Sequence, residues 1–289
     1  DLAASLRVLY DPAAAERLAP AFERGKTLLE RLHADAAGVP LDDTEHVYEM
    51  TVAGKAVGYL QRRISREEYV YSSPSAKRRY AKDGLRVRER VWRFLDDGTV
   101  WCTRVDLFSS FDGQSEIIEN QQTQLPPPGA QPPELFSKTD SVIREADVLF
   151  SSYTTSADRE LPEPSKPISV GPVYLDLAWV RLLPTLLRGA SDDLVAVAVY
   201  NFEARALLSH TIQPLGERKL EGYDGPAQAF EVREGLIGRP SVLYGDKDGT
   251  LLKLDAGDVT LTRVAREQIE RKYGRQRDEA RSRFQLQMD

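Results

Sequence analysis

Apolar and polar residues alternate with period two over most of this chain, which is the signature of half-buried β-strands. In residues 240–263, Val242 and Tyr244 lead into Gly245-Asp246-Lys247-Asp248-Gly249. Leu252 and Leu254 then alternate with Leu251, Lys253 and Asp255. An Asp-Gly pair between two such runs predicts a hairpin, because the turn needs residues that tolerate φ > 0. The same grammar recurs upstream. Residues 47–52 and 56–64 flank Ala53-Gly54-Lys55, and residues 69–73 continue that strand or form a separate edge. Residues 85–95 place Leu85, Val87, Glu89 and Val91 on one face and Arg86, Arg88, Arg90 and Trp92 on the other. After Asp97-Gly98, residues 100–108 return with Trp101, Thr103, Val105 and Leu107 opposite Val100, Cys102, Arg104 and Asp106. Further strands are expected at 115–125, 142–155, 194–202, 204–213 and 228–234. The short connections make them antiparallel.

Helical spacing replaces alternation in three places. Asp11-Pro12 starts a helix over 11–37 that Pro20 is expected to break or kink. Leu175, Trp179, Leu182, Leu183 and Leu186 predict a helix over 174–188, interrupted at Pro184 and capped at Gly189. A short amphipathic helix follows at 266–274, and 276–289 is a charged tail. The organisation expected is a helical segment at 1–44, an antiparallel β-rich domain at 45–263 and a terminal helix with tail at 264–289. Proline-rich breaks fall near 126–133 and 161–172. Ten to twelve strands in one antiparallel sheet must curl or split. The fold class is therefore mainly β (α+β): a strongly curved sheet or open half-barrel with N-terminal, central and C-terminal helices.

Composition narrows the function. The chain has 289 residues and a net charge of −6, which argues against coating nucleic acid, since phosphate binding leaves a basic excess. Cys102 is the single cysteine, so no intrachain disulfide and no cysteine-based metal cluster forms. His33, His46 and His210 belong to no recognisable motif. Asp246-Lys247-Asp248-Gly249 opens like a calcium loop but lacks the remaining ligands. Gly54-Lys55-Ala56-Val57-Gly58 lacks the phosphate-loop spacing. No cofactor or metal is expected. No run of about 18 apolar residues spans a bilayer. The chain begins at Asp1 rather than Met, as expected of a processed or trimmed product.

Three groups carry candidate chemistry. Trp92, Phe94, Trp101, Leu107, Trp179, Leu183 and Tyr200 are the large side chains expected to form an apolar interior able to hold a hydrophobic ligand. Arg62, Arg63, Arg78, Arg79, Arg86 and Arg88, interleaved with tyrosines, form a basic stretch suited to an anionic polymer or headgroup. Asp106, Asp112 and Glu116 are the carboxylates a hydrolase would use if they shared a cleft.

The first hairpin, Val52-Ala53-Gly54-Lys55-Ala56-Val57-Gly58-Tyr59, resembles that of exported bacterial β-rich proteins of unknown function. Leu243-Tyr244-Gly245-Asp246-Lys247-Asp248-Gly249-Thr250-Leu251-Leu252-Lys253 looks like their last. These modules are similar to the lipoprotein-carrier fold, an open half-barrel closed by helices and able to hold acyl chains. The resemblance implies a non-enzymatic, periplasmic or otherwise exported protein, a cytoplasmic one being the alternative. Such a protein binds a lipid-like ligand or serves as an accessory scaffold subunit with a protein partner in an envelope assembly. A cavity left open beside the 174–188 helix favours the ligand; a filled interior favours the scaffold.

Overall fold

The structure, a computed structural model, describes residues 12–39, 41, 43, 45–73, 78–129, 136–155, 167–188, 193–235 and 238–284. Among these, fourteen strands form one sheet whose spatial order is β8-β7-β6-β5-β4-β3-β2-β1-β14-β13-β12-β11-β10-β9. In chain order they are β1 (Glu45–Val52), β2 (Lys55–Ser72), β3 (Arg79–Phe94), β4 (Val100–Ser110), β5 (Ser115–Leu125), β6 (Phe136–Glu145), β7 (Val148–Thr155), β8 (Ile168–Ser169), β9 (Val195–Asn201), β10 (Ala206–Lys219), β11 (Pro226–Glu234), β12 (Pro240–Gly245), β13 (Leu251–Ala256) and β14 (Val259–Val264). Every neighbour pair is an antiparallel hairpin partner except β1 with β14, which joins the two halves. Four helices accompany the sheet: α1 (Pro12–Asp35), α2 (Leu177–Val180), α3 (Leu183–Leu186) and α4 (Arg266–Phe284).

A fourteen-stranded twisted sheet cannot stay flat. Here its two ends approach each other. Val142 of β6 and Leu149 of β7 share one buried cluster with Val195, Val197 and Val199 of β9. Side chains stitch the seam that the backbone ladder leaves open. Tyr200 hydrogen-bonds Ser151, and the Arg205 guanidinium lies 4.0 Å from the centroid of the Tyr153 ring. The free edge of β9 is covered by the chain just before α2. Leu175 N–H donates to Ala198 O and Ala198 N–H donates to Val173 O, both at 2.8 Å. An edge paired in this way is not open to a second chain.

The concave face closes around residues 173–188. Trp179, Leu182 and Leu183 pack there against Leu85, Leu107 and Ile118 from successive strands. The convex face carries α4, whose Ile269, Tyr273 and Ala280 cover Val47, Tyr59, Trp92 and Cys102. The first half of α1 lies outside β9, with Phe22 on Ala196 and Ala198. Its second half, through Leu28, Leu29 and Leu32, joins the concave cluster. Gly25 is where helix and strand come closest: a Cβ there would lie 1.9 Å from Ala196 O.

Several expectations are corrected. Pro20 does not break α1; it is exposed, so the carbonyl it leaves unpaired faces water. The predicted central helix is two single turns, α2 and α3, because Pro184 is accommodated at the start of the second. Residues 142–155 are not one strand. They turn at Ala146 (φ 50°) into the β6–β7 hairpin. The terminal helix runs on through Phe284. The expected caps Asp11 and Gly189, the last residues of the tail (285–289), and parts of both proline-rich breaks (130–135 and 161–166) lie outside the described residues.

Candidate ligand-binding site

A cavity of about 480 Å³ opens at one mouth of the curved sheet, between residues 181–188, the first two strands and the β12–β13 turn. Strand β1 contributes His46 and Tyr48, and β2 contributes Arg62 and Ile64. Residues two apart on a strand share a face, and the β1–β2 register sets His46 directly beside Arg62. The central segment adds Arg181, Leu182, Thr185 and Arg188, and β14 adds Arg263. Leu41 and Leu251 complete the apolar wall.

The turn that forms the far wall is built by its own side chains. The Asp246 carboxylate accepts the N–H groups of Asp248 (2.9 Å) and Thr250 (2.8 Å), an Asx-type closure. Gly249 sits at φ +85°, with a Cβ position only 2.5 Å from Thr185 Cα. No other residue satisfies both conditions. Thr185 Oγ1 donates to Gly249 O at 3.0 Å, so the central segment is tied to this turn.

Beneath the cavity lies a charged triad. Arg62 Nε and Nη2 both lie 2.6 Å from Glu89 Oε1. Arg181 Nε approaches the same oxygen at 3.1 Å, at an angle that leaves its N–H without a hydrogen bond. Arg62 is 6% exposed and Glu89 4%. Burial pushes the Glu89 carboxyl up, but Arg181 and Arg62 outweigh it and hold the group below the usual carboxylate range. Burial likewise opposes the Arg62 charge, and Glu89 and Tyr48 more than restore it. Glu89 and Arg62 therefore stay ionised, and one carboxylate faces two guanidiniums. The triad keeps one net positive charge in a place where charge is expensive to leave uncompensated. Arg188 and Arg263 add further cationic reach; Arg263 lies 3.8 Å from Asp246.

The candidates named from sequence are distributed differently. Leu107, Trp179, Leu183 and Tyr200 do meet, in the filled concave cluster. Trp92 and Phe94 belong to the convex cluster under α4. Trp101 is half-buried and shares its face with Leu107, since it stands two-residue steps away on β4. The seven do not line one cavity. The basic stretch is split as well. Arg62 points inward while Arg63, Arg86 and Arg88 point outward, because neighbours on a strand face opposite ways. The outward ones are already paired: Arg63 with Asp43, Arg86 with Asp106 and Glu67, Arg88 with Glu67. Arg78 and Arg79 are exposed at the β2–β3 hairpin end. The three carboxylates share no cleft. Asp106 binds Arg86 on the convex face (2.6 and 2.8 Å). Asp112 closes the β4–β5 turn, accepting from Ser110 Oγ and Gln114 N–H. Glu116 is fully buried on the concave face. The hydrolase arrangement is not assembled.

Arg181 was hidden in the middle of an apolar stretch, where an arginine flanked by Val180 and Leu182 is the signal. Among the described residues no cluster of His, Cys, Asp and Glu suits a metal ion, and no helix is long and apolar enough to cross a membrane.

No protein-family model matches this chain, and no curated protein matches it. Among solved structures it is similar to a beta-barrel-like protein of a domain of unknown function, DUF1849, from Brucella abortus. The identity is 11% and the TM-score 0.49, over 76% of this chain and 94% of that one.

Proposed function

We propose that this protein is a non-enzymatic binding protein of the bacterial envelope that holds a lipid-like ligand by its anionic head. The observation that carries the reading is the Arg62–Glu89–Arg181 triad, in which one buried carboxylate faces a buried and a half-buried guanidinium at the floor of a cavity. A carboxylate, sulfonate or phosphate seated there would supply the missing counter-charge through charge-assisted hydrogen bonds, to which guanidinium forks are well matched. The apolar wall of Leu41, Ile64, Leu182 and Leu251 suits the first methylenes of a chain. The volume of about 480 Å³ lies within the range of roughly 300–1,000 Å³ typical of small-molecule sites. The interior around Trp179 is filled, which taken alone favours the scaffold reading; the cavity beside residues 181–188 favours a ligand, seated at the mouth rather than along the axis. The resemblance to exported β-rich proteins supports an envelope location.

Native mass spectrometry of protein purified from its source tests this. The expected result is a bound molecule with an acidic head, released on denaturation and lost from Arg62→Met. A bare mass, together with no uptake of an added alkyl sulfonate, would overturn the reading.

A further inference from the structure

The segment that supplies Arg181, Thr185 and Arg188 to the cavity is held in place by a second buried network. Glu116 Oε1 accepts the Leu177 N–H at 2.6 Å and Oε2 accepts the Tyr174 hydroxyl at 2.5 Å. Asp176 Oδ2 accepts from Ser109 Oγ at 2.5 Å and from Arg144 Nη2 at 2.9 Å. Trp179 Nε1 donates to Ser109 Oγ at 3.0 Å. Besides the backbone pairing of Val173 and Leu175 with Ala198, the side-chain anchors of the first half of the segment converge on two carboxylates, Glu116 on β5 and Asp176 just before α2.

Charge decides what state these carboxylates are in. Both are almost fully buried, as is Arg144. His33, on the exposed side of α1, has its pKa lowered by partial desolvation, with Arg144 acting in the same sense and Asp176 and Asp112 against it. Burial pushes the Tyr174 hydroxyl well above its ordinary range, and the neighbouring carboxylates add to this. One guanidinium thus stands against two carboxyl groups. The cluster is neutral only when the pair retains one proton.

We propose that residues 173–188 form a proton-held gate: the proton shared by Glu116 and Asp176 keeps the segment seated, and its loss unseats the segment and dismantles the cavity it walls. The ligand part of this inference rests on the function proposed above; the gate itself rests on the network alone. Burial, with the Asp176 charge second, raises Glu116 to about 8, whereas an unseated, hydrated carboxyl returns to the ordinary range, so the transition spans the interval between the two. Below it the gate is closed. Across it the seated segment holds a proton that the unseated one releases, so seating weakens about tenfold per pH unit, and above the seated value it weakens no further.

Hydrogen exchange across a pH series, compared between wild type and Glu116→Gln at each pH, tests the gate. The glutamine keeps the shape and removes the titration. Protection of 173–188 in wild type, relative to the variant, should fall about tenfold per unit between about pH 5 and the seated value of about 8 and level off above it, while protection in β3 and β4 stays level. Asp176→Asn leaves one carboxylate against Arg144, so it should flatten the profile in the same way and serves if the first variant does not fold. A constant ratio, or loss of protection in β3 and β4 together with the segment, would overturn the gate. Binding of octane-1-sulfonate, which stays ionised throughout, separates the two proposals. Affinity that falls with the protection supports both. Binding that ignores pH overturns the gate. No binding at any pH, with the protection change intact, overturns the ligand reading and leaves the gate standing.

Discussion

Glu89→Gln probes the buried charge balance most sharply. In the native protein one carboxylate oxygen is shared by Arg62 and Arg181. The substitution keeps the volume and removes the counter-charge. Arg62, with a side chain only 8% exposed, is then left without an ionic partner; Arg181, 30% exposed, is partly hydrated and suffers less. Removing one member of a buried pair costs on the order of 3–5 kcal/mol. For a chain of this size that lowers the melting temperature by roughly 10 °C. The assay is urea denaturation, with and without octane-1-sulfonate. The variant should lose about 3–5 kcal/mol and regain more on adding the sulfonate than wild type does, because the ligand replaces the deleted charge. The same linkage gives a pH signature. Glu89 is held below its ordinary value, so its contribution is present above the unfolded pKa and is lost as pH falls through the folded one. A loss under about 1 kcal/mol, or equal rescue of both proteins, would refute the argument by showing that the triad is already solvated.

Other consequences are open to measurement. Leu183→Ala empties a fully buried position and should cost about 2–5 kcal/mol by denaturation. Gly25→Ala drives a Cβ into Ala196 O and should cost about 1–3 kcal/mol, with faster hydrogen exchange confined first to β9. Burial pushes the Cys102 thiol up to about 12; at mildly alkaline pH the native protein should react with iodoacetamide on the order of a thousandfold more slowly than the unfolded chain.

The alternation of the strands flanking Asp97-Gly98 was legible, but the expected grouping of Trp92 and Phe94 with Leu107 does not hold, since those two lie under α4 on the other face. The two faces of these strands differ in texture, and the structure keeps Leu85, Val87, Val105 and Leu107 on the concave side. The start of β6 was not legible, because its inward positions include Asp140 and Arg144, both buried. A polar residue facing inward breaks the alternation on which strand reading depends. Residues 174–188 have true helical spacing, yet only two single turns form. The preceding residues pair with the edge of β9 instead, a contact no local pattern encodes. For the site, Glu89 was visible as the one acid on the apolar face of its strand. Its partners were not. Arg62 reads as one member of a basic run until the pleat turns it inward, and Arg181 arrives from far along the chain.

The most direct test of the ligand site is calorimetric titration of octane-1-sulfonate into wild type and Arg181→Met. One saturable site is expected, weakened by an order of magnitude or more in the variant, since a charge-assisted hydrogen bond is worth about 1.5–3 kcal/mol. Equal affinities, or no saturable binding to wild type, would contradict the assignment of this cavity to an anionic head.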